Sequence, residues 1–257
     1  MSKQAILAVS FGTTYPETRS KTIEATVEKI QATYPKAKVV QVFTSRIVRQ
    51  RVLVNEQLVV DSPEEALKKL LAAGYHEVYI QSLHLLPGWE YQLLVKLVKK
   101  YRDDFDILKL TQPLLADYND FKKVVKFLKQ QEAMLAPDEA RVWMGHGSSH
   151  SCFTSYACLD HMLAGSRSFV AAVESYPNLD REVADLKATG ATKIILQPLM
   201  LVAGNHAHND MAQGPDSWRA QLEKLGYQVE ARFKGLGEYT AIQEVFVDKL
   251  KVVMEEE

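Results

Sequence analysis

The sequence predicts an α/β protein made of two similar lobes, each a parallel sheet flanked by helices. Three observations carry this. Short apolar runs alternate with amphipathic segments of helical spacing, glycine and hydroxyl residues end the apolar runs, and the second half repeats the first. In the first half, "AILAVSF" reads as a strand and is followed by a helix opening around Pro16, with Ile23, Val27 and Ile30 on one face. "KVVQVFTS" is the second strand, and a helical region begins at about Arg46. In "SPEEALKKLLAAG", Ser62 caps, Pro63 takes the first helical position, Glu65 closes a capping box and Gly74 ends the helix. "EVYIQSLHLL" and "ILKLTQ" are the third and fourth strands. This βαβα rhythm calls for a parallel sheet covered on both faces.

The second half follows the same plan. "RVWMGHGSS" matches "AVSFGTT", and "SFVAAVESYP" matches "KVVQVFTSRI". "LKATGATKIILQPLMLVAGNH" aligns without a gap on "LLAAGYHEVYIQSLHLLPGWE", pairing Gly74 with Gly190, Gln81 with Gln197, Leu85 with Leu201 and Gly88 with Gly204. The expected division is an N-terminal lobe over residues 1–135 and a C-terminal lobe over 136–257, joined near "EAMLAPDEA". A closing helix over about residues 239–255 is free to pack back on the N-terminal lobe.

The 257 residues are 47% hydrophobic and 25% charged, enough apolar material for a globular core. A net charge of −1 gives no electrostatic case for nucleic acid or an anionic membrane. No apolar run reaches the roughly 18–20 residues needed to span a bilayer. "MSKQAILAVSFG" lacks a small-residue cleavage pattern and reads as a first strand, so a soluble cytoplasmic protein is expected. Cys152 and Cys158 are too few for a disulfide framework and read as buried free thiols.

Candidate chemistry gathers after the strands, where open parallel sheets bind ligands. In "MGHGSSH", His146 stands between two glycines that permit a tight turn, a placement suited to a general base or metal ligand. The segment is neither a dinucleotide fingerprint nor a nucleophile elbow, because His150 and His146 occupy the deciding positions. His206, in "AGNHAHND", takes the repeat position held in the first half by Glu90, in "GWE". If the lobes face each other about a pseudo-two-fold axis, the two residues look across one cleft. Two imidazoles and one carboxylate suit a divalent first-row metal with open coordination positions. Taken alone, Glu90 also reads as a solvated carboxylate at a helix start. His208 is either an alternative to His206 or steers it from behind. His150 reads equally as a substrate contact or a surface residue. His84 reads as a satisfied core histidine, and His76 and His161 as surface residues. Arg46, nearest a strand end, suits substrate carboxylates, whereas Arg49 and Arg51 fit a solvated helix face equally well. Phe11 and Trp89 suit either a flat apolar ligand or plain packing.

With "SFGTTYPETR", "LHLLPGWEY", "MGHGSSH" and "PLMLVAGNHAHNDMA" in order along the chain, the sequence resembles the anaerobic cobalt chelatases, the sirohydrochlorin cobaltochelatases of cobalamin synthesis. The resemblance spans essentially the whole chain. It implies the class II chelatase fold, two Rossmann-like lobes enclosing a tetrapyrrole cleft. It also implies ATP-independent insertion of Co²⁺ into sirohydrochlorin, with Co²⁺ as substrate metal, no nucleotide, and a homo-oligomer among the possible states. By the same resemblance His146 is general base and metal ligand, His206 the second metal histidine and Glu90 the carboxylate ligand; His208 is not required. Ser10, Phe11, Arg46, Trp89, Ser148 and Ser149 are the candidate contacts for the carboxylate-rich ring. Competing expectations are a chelatase for Fe²⁺ or Ni²⁺, a non-catalytic tetrapyrrole or metal carrier, and a periplasmic-type binding protein.

Overall fold

The computed structural model describes residues 3–255. The chain forms two compact units, one running through Ala116 and resuming at Gly237, the other spanning Asp117–Leu236. In the first unit, β1 (Lys3–Ser10), β2 (Lys38–Phe43), β3 (Tyr75–Ser82) and β4 (Ile107–Leu110) form a parallel sheet in the order β2-β1-β3-β4. Its helices are α1 (Pro16–Arg19), α2 (Ala25–Thr33), α3 (Arg46–Glu56), α4 (Pro63–Ala72) and α5 (Trp89–Tyr101). In the second unit, β5 (Glu139–Gly145), β6 (Ser168–Ala172), β7 (Lys193–Pro198) and β8 (Gln228–Ala231) are again all parallel, in the order β6-β5-β7-β8. Here the helices are α6 (Tyr118–Glu132), α7 (Thr154–Met162), α8 (Leu179–Ala188) and α9 (Trp218–Lys224). The last helix, α10 (Thr240–Glu255), packs on α2 and β3 and so completes the first unit.

Strand alternation explains the layers. In the first unit Ala5, Leu7, Val9, Val78 and Ile80 share one face with Leu67 and Leu70 of α4 and Leu94 of α5. The intervening positions Ile6, Ala8 and Tyr79 are also buried, so the sheet is covered on both sides. Each fully buried leucine contributes roughly 1.5–3 kcal/mol of transfer free energy. The second unit repeats the arrangement, with Val142, Met144, Ile194 and Leu196 against Leu186 of α8 and Trp218 and Leu222 of α9.

The sequence reading joins the lobes at 135/136, whereas the contacts divide the chain at 116/117. The cause is α6: its Phe127 packs on Trp143 of β5, ring centroids 6.2 Å apart, which ties the helix to the sheet that follows it. The capping box at Ser62 and Glu65 forms as read, and Gly74 follows the helix with φ +76°. The first helix departs from simple periodicity, because a π turn over Ser20–Glu24 interrupts it. The extra residue per turn rotates the buried face, so Thr22 and Thr26 are fully buried beside Ile23 and Ile30 while Val27 is only half-buried. The thiols also differ from expectation: Cys152 is buried, but Cys158 lies on the outer face of α7 and is exposed.

Candidate metal centre

Three loops leave the carboxyl ends of three adjacent strands in the second unit, and each delivers one donor. His146 follows β5, Glu174 follows β6 and His206 lies beyond β7. Among the described residues these three form a group whose ligand atoms all lie within 4.8 Å of one another. The two imidazole rings meet edge to face at 83°, with centroids 4.3 Å apart. Donors bound to one first-row ion at about 2.1 Å lie roughly 3–4 Å apart, so a small contraction closes the group on a metal.

The backbone fixes this meeting. The amide of Glu174 donates to the carbonyl of His146 at 3.0 Å, and the amide of Val173 donates to the carbonyl of Gly145 at 3.0 Å. Gly147 has φ +95°, and a Cβ there would stand 2.8 Å from the Glu174 amide nitrogen. A Cβ on Gly145 would strike the ring of Tyr156, whose hydroxyl accepts from the Gly147 amide at 3.3 Å. Burial pushes the Tyr156 hydroxyl up to about 12, so it remains a neutral anchor of the turn.

Each histidine is set by its own Nδ1. In His146 that nitrogen donates to the Gly147 carbonyl at 3.0 Å, and since a carbonyl only accepts, the proton sits on Nδ1 and leaves Nε2 with its lone pair. In His206, Nδ1 lies 2.7 Å from Asp210 Oδ2, four residues on across a short π turn (Ala207–Ala212). This carboxylate–histidine pair fixes the ring and orients Nε2 toward a metal.

The candidates read from the sequence separate by position. His146 and His206 come together; Glu90 stands in the first unit, second residue of α5, half-buried, with Oε2 lacking a hydrogen bond. Within the second unit a carboxylate that sequence reasoning missed, Glu174, stands beside the two histidines. Its signal lies in backbone register: Thr44 and Ser45 donate to Ser10 and Phe11 as Val173 and Glu174 donate to Gly145 and His146. Phe11 and Ser45 therefore hold, in the first unit, the places of His146 and Glu174. His208 stacks on Phe233, ring centroids 4.6 Å apart at 19°. His150 accepts the Cys152 amide through Nδ1 and caps the turn after the loop. His84 is not fully satisfied: Nδ1 meets Ser82 Oγ at 3.0 Å, whereas Nε2 is buried without a partner. Ser10 is buried at the end of β1; Phe11, Arg46, Trp89 and Ser149 are exposed, and Ser148 is half-buried. Arg49 pairs with Glu65, while Arg51 is exposed.

The family profile described as cobalt chelatase (CbiK) matches residues 4–255. The chain belongs to the CbiK cobalt chelatase family. Within that family it is 42% identical over 251 residues to the sirohydrochlorin cobaltochelatase of Salmonella typhimurium, covering 96% of this chain and 95% of that protein. It is 33% identical to the sirohydrochlorin cobaltochelatase CbiKC of Nitratidesulfovibrio vulgaris, over 97% of this chain and 90% of that protein. The solved structure of SirB from Bacillus subtilis with Fe³⁺ shares the chelatase fold at a TM-score of 0.62 and 14% identity, covering 98% and 96% of the two chains. The two-sheet architecture of this chain is therefore that of the chelatases. No helix among its described residues is long and apolar enough to cross a membrane.

Proposed function

We propose that the protein is a sirohydrochlorin cobaltochelatase, inserting Co²⁺ into the free-base ring during cobalamin synthesis. One observation carries the residue assignment: His146, Glu174 and His206 converge at the carboxyl edge of one sheet, in a chain 42% identical to an enzyme of that name. Insertion exchanges one Co²⁺ for the two pyrrole N–H protons. The chain's residues must therefore hold the ion loosely, present it to the ring and receive protons. Two neutral imidazoles and one carboxylate bind Co²⁺ while leaving positions open for ring nitrogens. His146, with its Nε2 lone pair free, then accepts a ring proton as the ion moves on.

Glu174 supplies a carboxylate beside the two histidines, in addition to the Glu90 of the sequence reading. Glu90, a carboxylate with an unpartnered buried oxygen, is retained as a further ligand for the ion on its way to the ring. The ring's carboxylates meet Arg46, Ser148 and Ser149, and its flat face meets the exposed Phe11 and Trp89, with Ser10 shaping the turn behind Phe11. The reaction needs no nucleotide, and the chain works in the cytoplasm.

The test is anaerobic absorbance spectroscopy with sirohydrochlorin and Co²⁺, run beside a protein-free control. The wild type should turn over many times. His146→Ala should lose turnover by at least a hundredfold while still binding the ring, and Glu174→Gln should raise the Co²⁺ concentration needed for half-maximal rate. Stoichiometric binding without turnover in the wild type would replace the enzyme with a carrier. Faster insertion of Fe²⁺ or Ni²⁺ would change the metal.

A further inference from the structure

His206 immediately precedes the short π turn Ala207–Ala212, and the inner side of that turn is fixed by Ala207 and Met211, both fully buried in the core of the second unit. The same turn carries His208, whose ring stacks on Phe233. Residues two apart on a helical turn leave it on different sides. The stack therefore braces the turn from a side other than the one that presents the His206 ring.

Phe233 lies two residues beyond the end of β8 and is 41% exposed, so burial alone does not account for its place. Its backbone is nonetheless firmly held. The Arg232 amide donates to the Leu196 carbonyl at 2.8 Å, Gln197 donates through Nε2 to the Lys234 carbonyl at 3.1 Å, and the Leu236 amide donates to the Met200 carbonyl at 2.8 Å. Gly235 allows the close approach, since a Cβ there would stand 2.5 Å from the Leu201 carbonyl oxygen. The segment bearing Phe233 is thus fastened to β7 and to the chain just after it, the same stretch that leads to His206. The aromatic contact carries that rigidity across to the π turn.

We infer that Phe233 and His208 are positioning residues for the metal ligand His206, their stack holding the π turn in the place where His206 meets His146 and Glu174. His208 acts here as a flat ring and donates no electron pair to the ion. The inference rests on the reading of His146, Glu174 and His206 as a metal centre. It adds a second brace to the turn, separate from the Asp210 contact at His206 Nδ1.

The probe is Co²⁺ alone, titrated anaerobically into the full-length protein and read by its visible d–d absorption and by competition with a chelator. Phe233→Leu and His208→Ala should each weaken binding roughly three- to tenfold, the range an aromatic pair supports, and alter the Co²⁺ spectrum. The double variant should be no weaker than either single one, because both remove the same contact. His208→Phe keeps a stacked ring without a donor atom and should restore wild-type affinity and spectrum. If Phe233→Leu folds poorly, the two His208 variants decide. Wild-type affinity in Phe233→Leu, additive losses in the double variant, or a loss in His208→Phe equal to that in His208→Ala would each overturn the inference, the last by making His208 a ligand. His206→Ala is the control: undiminished Co²⁺ binding there would sink the metal centre itself, whereas binding lost there and kept in Phe233→Leu sinks only the brace.

Discussion

His206 owes its usefulness as a ligand to Asp210. Without the 2.7 Å contact at Nδ1, the ring is free to rotate and to carry its proton on the nitrogen meant for metal. Asp210→Asn should therefore weaken Co²⁺ binding by about 10- to 100-fold, the usual effect of losing such a partner, with Asp210→Glu restoring part of it. Competition against a chromogenic chelator checks this, and an unchanged thermal midpoint would separate positioning from a general loss of fold. Legibility at this scale was uneven. His146 and His206 stand in compact glycine-flanked segments that announce a site. Glu174 lies in "VESYP", which has no motif at all; only strand register and the Gly147 turn bring it to His146.

At the scale of elements, the turn after β5 tolerates little change. Two glycines with positive φ make the contrast. Gly147 has φ +95° and a neighbour's backbone within 2.8 Å of where a Cβ would stand, whereas Gly74 has φ +76° and open space. Gly74→Ala should cost only backbone strain, on the order of 1 kcal/mol, and leave Co²⁺ affinity alone. Gly147→Ala carries that strain and also pushes the Glu174 backbone away from His146. It should destabilise by on the order of 2–3 kcal/mol and weaken metal binding as well. Urea unfolding and Co²⁺ titration of the two variants distinguish the effects. Helix starts were readable because Ser62, Pro63 and Glu65 act locally. The π turn at Ser20–Glu24 and the short edge strand β8 were not, since neither leaves an uninterrupted period to count.

For the whole molecule, the repeated "LLAAGYHEVYIQS" and "LKATGATKIILQP" segments make the two equivalent sheets legible in the sequence. The division at 116/117 was not visible, because it depends on which sheet α6 packs against. Each unit also holds a group that titrates near neutral pH and is shifted by burial, and the two penalties have opposite signs. In the first unit, burial lowers His84 to about 4, so the folded state holds it neutral. The unfolded chain binds that proton more tightly between about pH 4 and 6.5, so His84 lets stability rise with pH across that window and lowers it toward acid. In the second unit, burial first, and then the charge of Asp160, raises Glu182 to about 7. Here the folded state binds the proton more tightly, so stability is full below about pH 4.5 and lost as pH rises through 7. One proton corresponds to about 1.4 kcal/mol per pH unit, so each group contributes on the order of 3–4 kcal/mol across its window, and in the wild type the two largely offset one another between pH 4.5 and 6.5. Single substitutions should expose the slopes. Relative to wild type, Glu182→Gln should gain stability as pH rises from 4.5 to 7, and His84→Asn should lose it from pH 4 to 6.5. Denaturant unfolding of the three proteins at half-unit pH steps measures both differences, with contributions from all other groups cancelling. Parallel curves for wild type and Glu182→Gln would mean that Glu182 is solvated or paired in solution, and parallel curves for His84→Asn would mean the same of His84.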